Sequence, residues 1–243
     1  MRKQFIFTFS LFYSLSLFST PALLFVEGNI GAGKSTFLKM IEQNIPATVT
    51  LEPCDEWQSV SGQNLLDAYY QDGNRWGALF QIYASMTRVR KQQAESLRAD
   101  VLQIMERSWY CDRYCFQQIM YDLGFLDDLS LSIVKELWDF VIAGVQKPIG
   151  FIYLRVEPEV CMERMKDRAR DEESSVSLDY LQRLHGYHES LLVHKSSCAD
   201  LKDIPVLILD GSLNFRDDKA VQQSFVRQIL DFLKINGNID LTR

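Results

Sequence analysis

The sequence predicts an α/β fold: a parallel five-stranded sheet with helices on both faces. Three observations predict it. Five short apolar runs alternate with stretches of helical periodicity, the pattern of strands joined by crossover helices. The first run leads without a break into a glycine-rich turn and then a helix. The 243 residues show no internal repeat, low-complexity tract or linker, so a single domain is expected.

In chain order, the apolar run 23–26 reads as a buried strand and 37–42 as the helix after it. Residues 47–53 read as a second strand ending in Glu52-Pro53, and 64–70 as helical. A long helix spans 76–98, with Leu79, Phe80, Tyr83, Met86 and Val89 giving it a broad apolar face. The third strand is 101–105, running into Glu106-Arg107-Ser108, with helical segments at 110–121 and 129–143. The fourth strand is 150–156, and Pro158 stands in the first turn of the next helix, where proline is tolerated. Residues 178–194 are helical, 205–210 are the fifth strand and 221–235 the last helix.

The turn after the first strand reads Gly28, Asn29, Ile30, Gly31, Ala32, Gly33, Lys34, Ser35, Thr36. This is a P-loop in the context that supports one, strand then helix. Its glycines let backbone N–H groups converge on phosphate oxygens, and the helix N-terminus adds its positive dipole end. Lys34 should reach the β- and γ-phosphates of a nucleoside triphosphate, and the Ser35 hydroxyl should face Mg²⁺. A formal net charge of −6 argues against a nucleic acid polymer as partner, since backbone affinity needs clustered cations. The five cysteines show no C-x-x-C spacing and read as reduced thiols, which points to a cytoplasmic setting. Cys111 and Cys115 could share a helix face, but without a nearby histidine they make a poor metal site. Residues 1–22 carry an uncharged apolar run behind Arg2 and Lys3, short for a membrane span, so no stable membrane insertion is expected. They read as a leader or N-terminal extension ahead of a catalytic domain at 23–243; a transit peptide there would make the protein organellar.

Ligands of open parallel sheets bind beyond the carboxyl ends of the strands, where the P-loop, Glu52 and Glu106-Arg107 all emerge. A carboxylate there, beside bound phosphate, suits a general base or a magnesium contact. Together with Trp57, Phe80-Gln81-x-Tyr83, Asp112-Arg113-Tyr114 and an arginine-rich segment from Arg164 to Glu173, these motifs in order resemble the deoxyribonucleoside kinases. The resemblance is greatest to the deoxycytidine, deoxyguanosine and deoxyadenosine kinase branch, and it covers 23–235.

That resemblance implies a P-loop kinase fold with an arginine-rich lid, Mg²⁺ and ATP or another triphosphate as donor, and a homodimer. It implies that Glu52 is the base for the nucleoside 5′-hydroxyl, that Arg107 lies beside that hydroxyl and the phosphate, and that Glu106 with Ser35 holds the metal. Arg164, Arg168 and Arg170 match the lid arginines; the first two fall at i and i+4, on one helix face. Glu173 matches the residue that, with Tyr70, contacts the sugar 3′-hydroxyl. Gln81 matches the base-reading glutamine, and Arg88 and Asp112 the pair at the far end of the base pocket. Trp57, Leu66, Phe80 and Phe116 match its apolar walls. Asn214 and Phe215 match the loop over the donor's base, although Leu213-Asn214 stands where an acidic pair is common in the relatives. The expected reaction is 5′-phosphorylation of deoxycytidine or a deoxypurine nucleoside, with thymidine poor. The alternatives are a nucleoside monophosphate kinase such as thymidylate kinase, and a non-catalytic kinase-like subunit. For the dimer surface, the helix at 129–143 with Trp138 and Phe140 is expected.

Overall fold

The structure, a computed structural model, describes residues 20–99 and 101–241. Most of the expected leader lies outside these residues. Five strands form one parallel sheet: β1 (Ala22–Glu27), β2 (Thr48–Thr50), β3 (Leu102–Glu106), β4 (Gly150–Arg155) and β5 (Val206–Asp210), in the order β2-β3-β1-β4-β5. β1 is central, with Val26 opposite Glu106 on one side and Ile152 on the other. Successive side chains of a strand face opposite ways. Leu23 and Phe25 therefore join a core with Trp109, Phe151 and Leu184, while Leu24 and Val26 join another with Phe37, Ile41 and Ile229.

Helices α1 (Lys34–Asn44) and α10 (Lys219–Gly237) cover the second face, and α8 (Pro158–Arg168) and α9 (Leu178–His188) contribute to the first. Pro158 does stand at the start of its helix. A third cluster under the acceptor end joins α2 (Cys54–Gln58), α3 (Leu65–Gln71) and α4 (Gly73–Ser96) through Trp57, Leu66, Tyr69 and Phe80. After β3 come α5 (Trp109–Cys111), a π-helical turn at Asp112–Phe116, α6 (Gln117–Asp122) and then α7 (Asp128–Ile142).

Three expectations need correction. The second strand is only three residues long, because β2 pairs on one side alone and Pro53 has no N–H to continue a ladder. The apolar face expected of α4 holds only in part. Phe80 is buried and Tyr83 and Val89 pack against core clusters, but Leu79 and Met86 are exposed; the helix also buries Gln81, Ala84, Ser85, Thr87 and Arg88, of which Gln81, Ala84 and Arg88 line a cleft. Trp138 is not on a surface; it is buried, donating its indole N–H to Trp109 O at 3.0 Å, whereas Phe140 is 80% exposed.

Candidate active site

The P-loop owes its path to glycine. Gly31 and Gly33 have φ of 78° and 93°, and a Cβ on Gly31 would stand 2.3 Å from Cys161 O. Gly33 caps α1 without a side-chain hydrogen bond, which leaves the first-turn N–H groups aimed out of the helix. Lys34 is buried, and its Nζ donates to Gly28 O at 3.2 Å and Asn29 O at 2.9 Å. Burial lowers its pKa, and Arg107 adds to the fall. Asn29 bridges outward, its Nδ2 donating to Leu181 O at 2.9 Å and its Oδ1 accepting from Ile30 N.

The strand ends then bring Glu106 to the loop. Ser35 Oγ donates to its carboxylate at 3.0 and 3.1 Å, and the backbone N–H of Glu52 approaches Glu106 Oε2 at 3.5 Å. A hydroxyl and a carboxylate beside a phosphate cradle form the hard oxygen donor set that Mg²⁺ accepts. The next residue, Arg107, has a left-handed backbone, φ 65°, with its N–H still bonded to Val26 O at 2.9 Å.

Glu52 sits between two guanidinium groups. Arg88 Nη2 donates to Glu52 Oε1 at 2.9 Å, and Arg107 Nε lies 3.3 Å from the same oxygen. Burial alone would raise the carboxyl pKa, but Arg107, Arg88 and Lys34 outweigh it and hold Glu52 at about 2. Arg88 also grips Asp112 with two bonds, Nε to Oδ2 at 2.9 Å and Nη2 to Oδ1 at 3.1 Å, and donates to Glu106 O at 3.2 Å. Burial raises the Asp112 pKa against the pull of Arg88. Arg88 thus ties Asp112 to Glu52, a link that spacing does not reveal.

Gln81, Arg88, Asp112, Phe80, Leu66 and Trp57 line one cleft with Glu52, Tyr70, Phe116 and Glu173. Trp57 meets Phe80 edge to face at 5.4 Å and fixes its indole by donating to Thr87 Oγ1 at 2.9 Å. Phe116 lies under Arg107, the guanidinium carbon 4.6 Å from the ring centroid. Gln81 Oε1 and Ser85 Oγ are buried without a hydrogen-bond partner among the described residues. A buried acceptor without a partner is costly, and of the two residues Gln81 lines the cleft.

The arginine segment leaves α8 through Ala169, whose φ of 49° ends the helix, and continues as a 3₁₀ turn at Asp171–Ser175. Its arginines divide. Arg164 Nη1 donates to Ala32 O at 3.1 Å and Gly211 O at 2.9 Å, joining the P-loop to the loop after β5. Arg168 and Arg170 both bind Glu173, Arg170 at 2.9 Å. The second groove, beside the P-loop, is lined by Gly33, Ser35, Thr36, Lys39, Asn214 and Arg216, with Arg164 and Arg168. Phe215 also borders it but is buried against Phe37, so it acts there mainly as a floor.

Sequence reasoning missed Tyr180, Cys54, Lys39 and Arg216, which line the two spaces. It also missed Glu27, wholly buried, whose Oε1 accepts from Ser108 N at 2.7 Å and whose pKa burial raises. A charged residue inside an apolar strand was the one available signal for it. The expectation that no histidine approaches Cys111 and Cys115 is overturned: His188 Nε2 and the two sulfurs lie within 4.8 Å of one another.

Comparison with known proteins adds a family. Residues 24–234 match the family described as deoxynucleoside kinase. The chain is 37% identical to a probable deoxycytidine kinase of fowlpox virus (strain NVSL), over 91% of this chain and 92% of that one. It is 35% identical to the mitochondrial deoxyguanosine kinase of Xenopus laevis, over 86% and 89% of the two. It is 33% identical to the mitochondrial thymidine kinase 2 of Macaca fascicularis, over 78% and 71%.

Proposed function

The chain belongs to the deoxynucleoside kinase family, and on that premise we propose that it transfers the γ-phosphoryl group of ATP to the 5′-hydroxyl of deoxycytidine or a deoxypurine nucleoside. The observation that carries this reading is Glu52, an ionised carboxylate held between Arg88 and Arg107 where the apolar cleft meets the P-loop. A phosphorylated acceptor would meet a negative charge there; an uncharged hydroxyl meets a hydrogen-bond acceptor.

Glu52 is too acidic to strip a hydroxyl of its proton in advance. Phosphoryl transfer does not require that, because its transition state is loose and the nucleophile needs orientation first. The 5′-hydroxyl donates to Glu52, its oxygen forms the new bond to the γ-phosphorus, and the proton passes to the carboxylate as ADP leaves. Arg107 lies beside the incoming oxygen. Arg164, Arg168 and Arg170 neutralise the charge of the transferring group, and Lys34 leaves its own loop's carbonyls for phosphate. Ser35 and Glu106 would hold Mg²⁺, which when bound neutralises phosphate oxygens. Glu173 and Tyr70 meet the sugar; Gln81 reads the base, with Asp112 and Arg88 at the far end of its pocket. Asn214 and Phe215 border the donor base.

The base preference rests on Arg88 and Asp112. A carboxylate at the far end of the pocket suits an exocyclic amino group, and a site built on hydrogen bonds rejects a base that leaves them unmade. Assay of the purified protein with the four deoxynucleosides and with ATP or UTP tests the reading. Deoxycytidine or a deoxypurine should be used best; if thymidine is, the pocket assignment fails, and if only monophosphates are, the acceptor assignment fails.

We also propose that residues 23–243 form the kinase unit and that it pairs as a homodimer through α7. Leu129, Ile133 and Phe140 are 70%, 53% and 80% exposed, an apolar stripe that supports association. Phe140→Asp should turn dimer into monomer in light scattering at micromolar protein. A reducing compartment, the cytoplasm or an organelle interior, is the proposed setting, supported by five free cysteines. Among the described residues no helix is long and apolar enough to cross a membrane.

A further inference from the structure

Arg107 is aimed by more than Glu52. Its Nη1 lies 3.4 Å from Cys111 Sγ and 3.5 Å from His188 Nε2, and Cys111 Sγ is 3.3 Å from that same nitrogen. All three residues are buried, His188 completely. Cys111, Cys115 and His188 together form a donor set that zinc would accept by type. A cation is already present, however: the guanidinium is hydrogen-bonded within the set, and burial holds the Cys111 thiol well above its ordinary pKa. The cluster is an arginine's cradle rather than a metal centre.

Its chemistry is fixed from both ends. His188 Nδ1 lies 2.7 Å from Leu184 O, a carbonyl that only accepts, so Nδ1 carries the proton. Arg107 Nη1 only donates, so Nε2 must be the unprotonated acceptor. The imidazole is neutral, in agreement with the fall of its pKa on burial beside Arg107. Tyr153 lies parallel to the ring, centroids 6.1 Å apart at 4°, and holds its plane. The helices bearing Cys111 and His188 each pass into a π-helical turn at the very next residue, Asp112–Phe116 and Glu189–Val193. Such turns cost regular hydrogen bonding and occur mostly where side chains must be re-aimed for function.

We propose that His188 is a positioning residue of the transfer centre, its neutral Nε2 accepting one N–H of Arg107 and so fixing the guanidinium's aim at Glu52 and the reacting hydroxyl. This rests on the role given to Arg107 above. His188→Asn keeps a polar group near Nδ1 but removes the acceptor from Arg107; His188→Gln can return a carbonyl oxygen to the Nε2 position. A hydrogen bond to a charged group is strong enough that kcat should fall about 10- to 100-fold in the first variant, with nucleoside KM within about twofold, and recover most of that loss in the second. Equal losses in both variants, or an unchanged kcat in His188→Asn, would overturn the proposal. Arg107→Gln, run in parallel, separates the two readings: if it is inactive while His188→Asn is normal, only the positioning role falls, and if it is fully active, both fall. Nitrogen NMR of the wild-type protein asks the question without any substitution. There are three histidines, and one must show the uncommon Nδ1–H tautomer at neutral pH; an Nε2–H or doubly protonated His188 refutes the proposal.

Discussion

The two spaces that meet at the P-loop are built on different plans. In the acceptor cleft nearly every charge is already answered by another: Glu52 by Arg88 and Arg107, Asp112 by Arg88, Glu173 by Arg168 and Arg170. The groove beside the P-loop shares Lys34, Ser35, Glu106, Arg168 and Arg170 with that cleft and adds exposed side chains such as Thr36, Lys39 and Arg216. The first is a closed network in which one deletion strands its neighbours. Thr36, Lys39 and Arg216 stand apart from that network, and each should be lost alone.

The largest effect that separates them is expected at Glu52. Glu52→Gln keeps the shape but cannot receive the proton, so turnover should fall by about two to four orders of magnitude with nucleoside KM little changed. Near-normal turnover in steady-state assays would mean that the network is structural only. Next comes the pair Arg88→Met with Asp112→Ala. Removing both partners avoids leaving one buried charge alone. The ratio of kcat/KM for thymidine over deoxycytidine should rise by about 10- to 100-fold. Total turnover should fall as well, because Glu52 loses one of its two guanidinium partners; an unchanged ratio would remove these residues from base selection.

A subtler contrast lies in pH. The ordinary carboxyl value is 4.5 and Glu52 stands at about 2, so its ion pairs stabilise the fold fully above about 4.5 and lose that contribution as pH falls through about 2. Denaturant melts of wild type and Glu52→Gln should therefore differ by a constant amount at neutral pH and converge only on acidification below about 4.5. A difference that varies between pH 6 and 8 would contradict the assignment. Smallest of all, Arg216→Ala in the groove should raise the KM for the donor by about threefold, the scale of one exposed charge contact, and leave nucleoside kinetics alone. A matching change in nucleoside KM would show that the two spaces are not independent.

The same contrast decides what could be read beforehand. The P-loop is contiguous, so Gly28 to Thr36 declared its chemistry by spacing, and the alternation of runs declared the parallel sheet. Gln81, Arg88 and Asp112 were legible only through the family resemblance, and they do line one cleft. What spacing could not show was which charges answer which. Arg88 reaches Glu52 across 36 positions and Arg107 reaches His188 across 81. Periodicity also assigned Leu79 and Met86 to a buried face of α4, because it counts apolar residues and cannot foresee that a helix will bury its polar side against a ligand site. Trp138 was taken for surface for a related reason. Its indole is apolar enough to suggest an interface, but its N–H finds Trp109 O inside the fold.

One feature at the end of β3 has a mechanical meaning. Glu106 turns to Ser35 and the phosphate side, while Arg107 turns to Glu52 and the nucleoside side, and the left-handed backbone between them makes that parting possible. On the proposed reading, donor and acceptor are therefore gauged from neighbouring Cα atoms, about 3.8 Å apart at the end of a strand beside the central one. On that reading, the spacing between the two substrates is set by a single peptide unit.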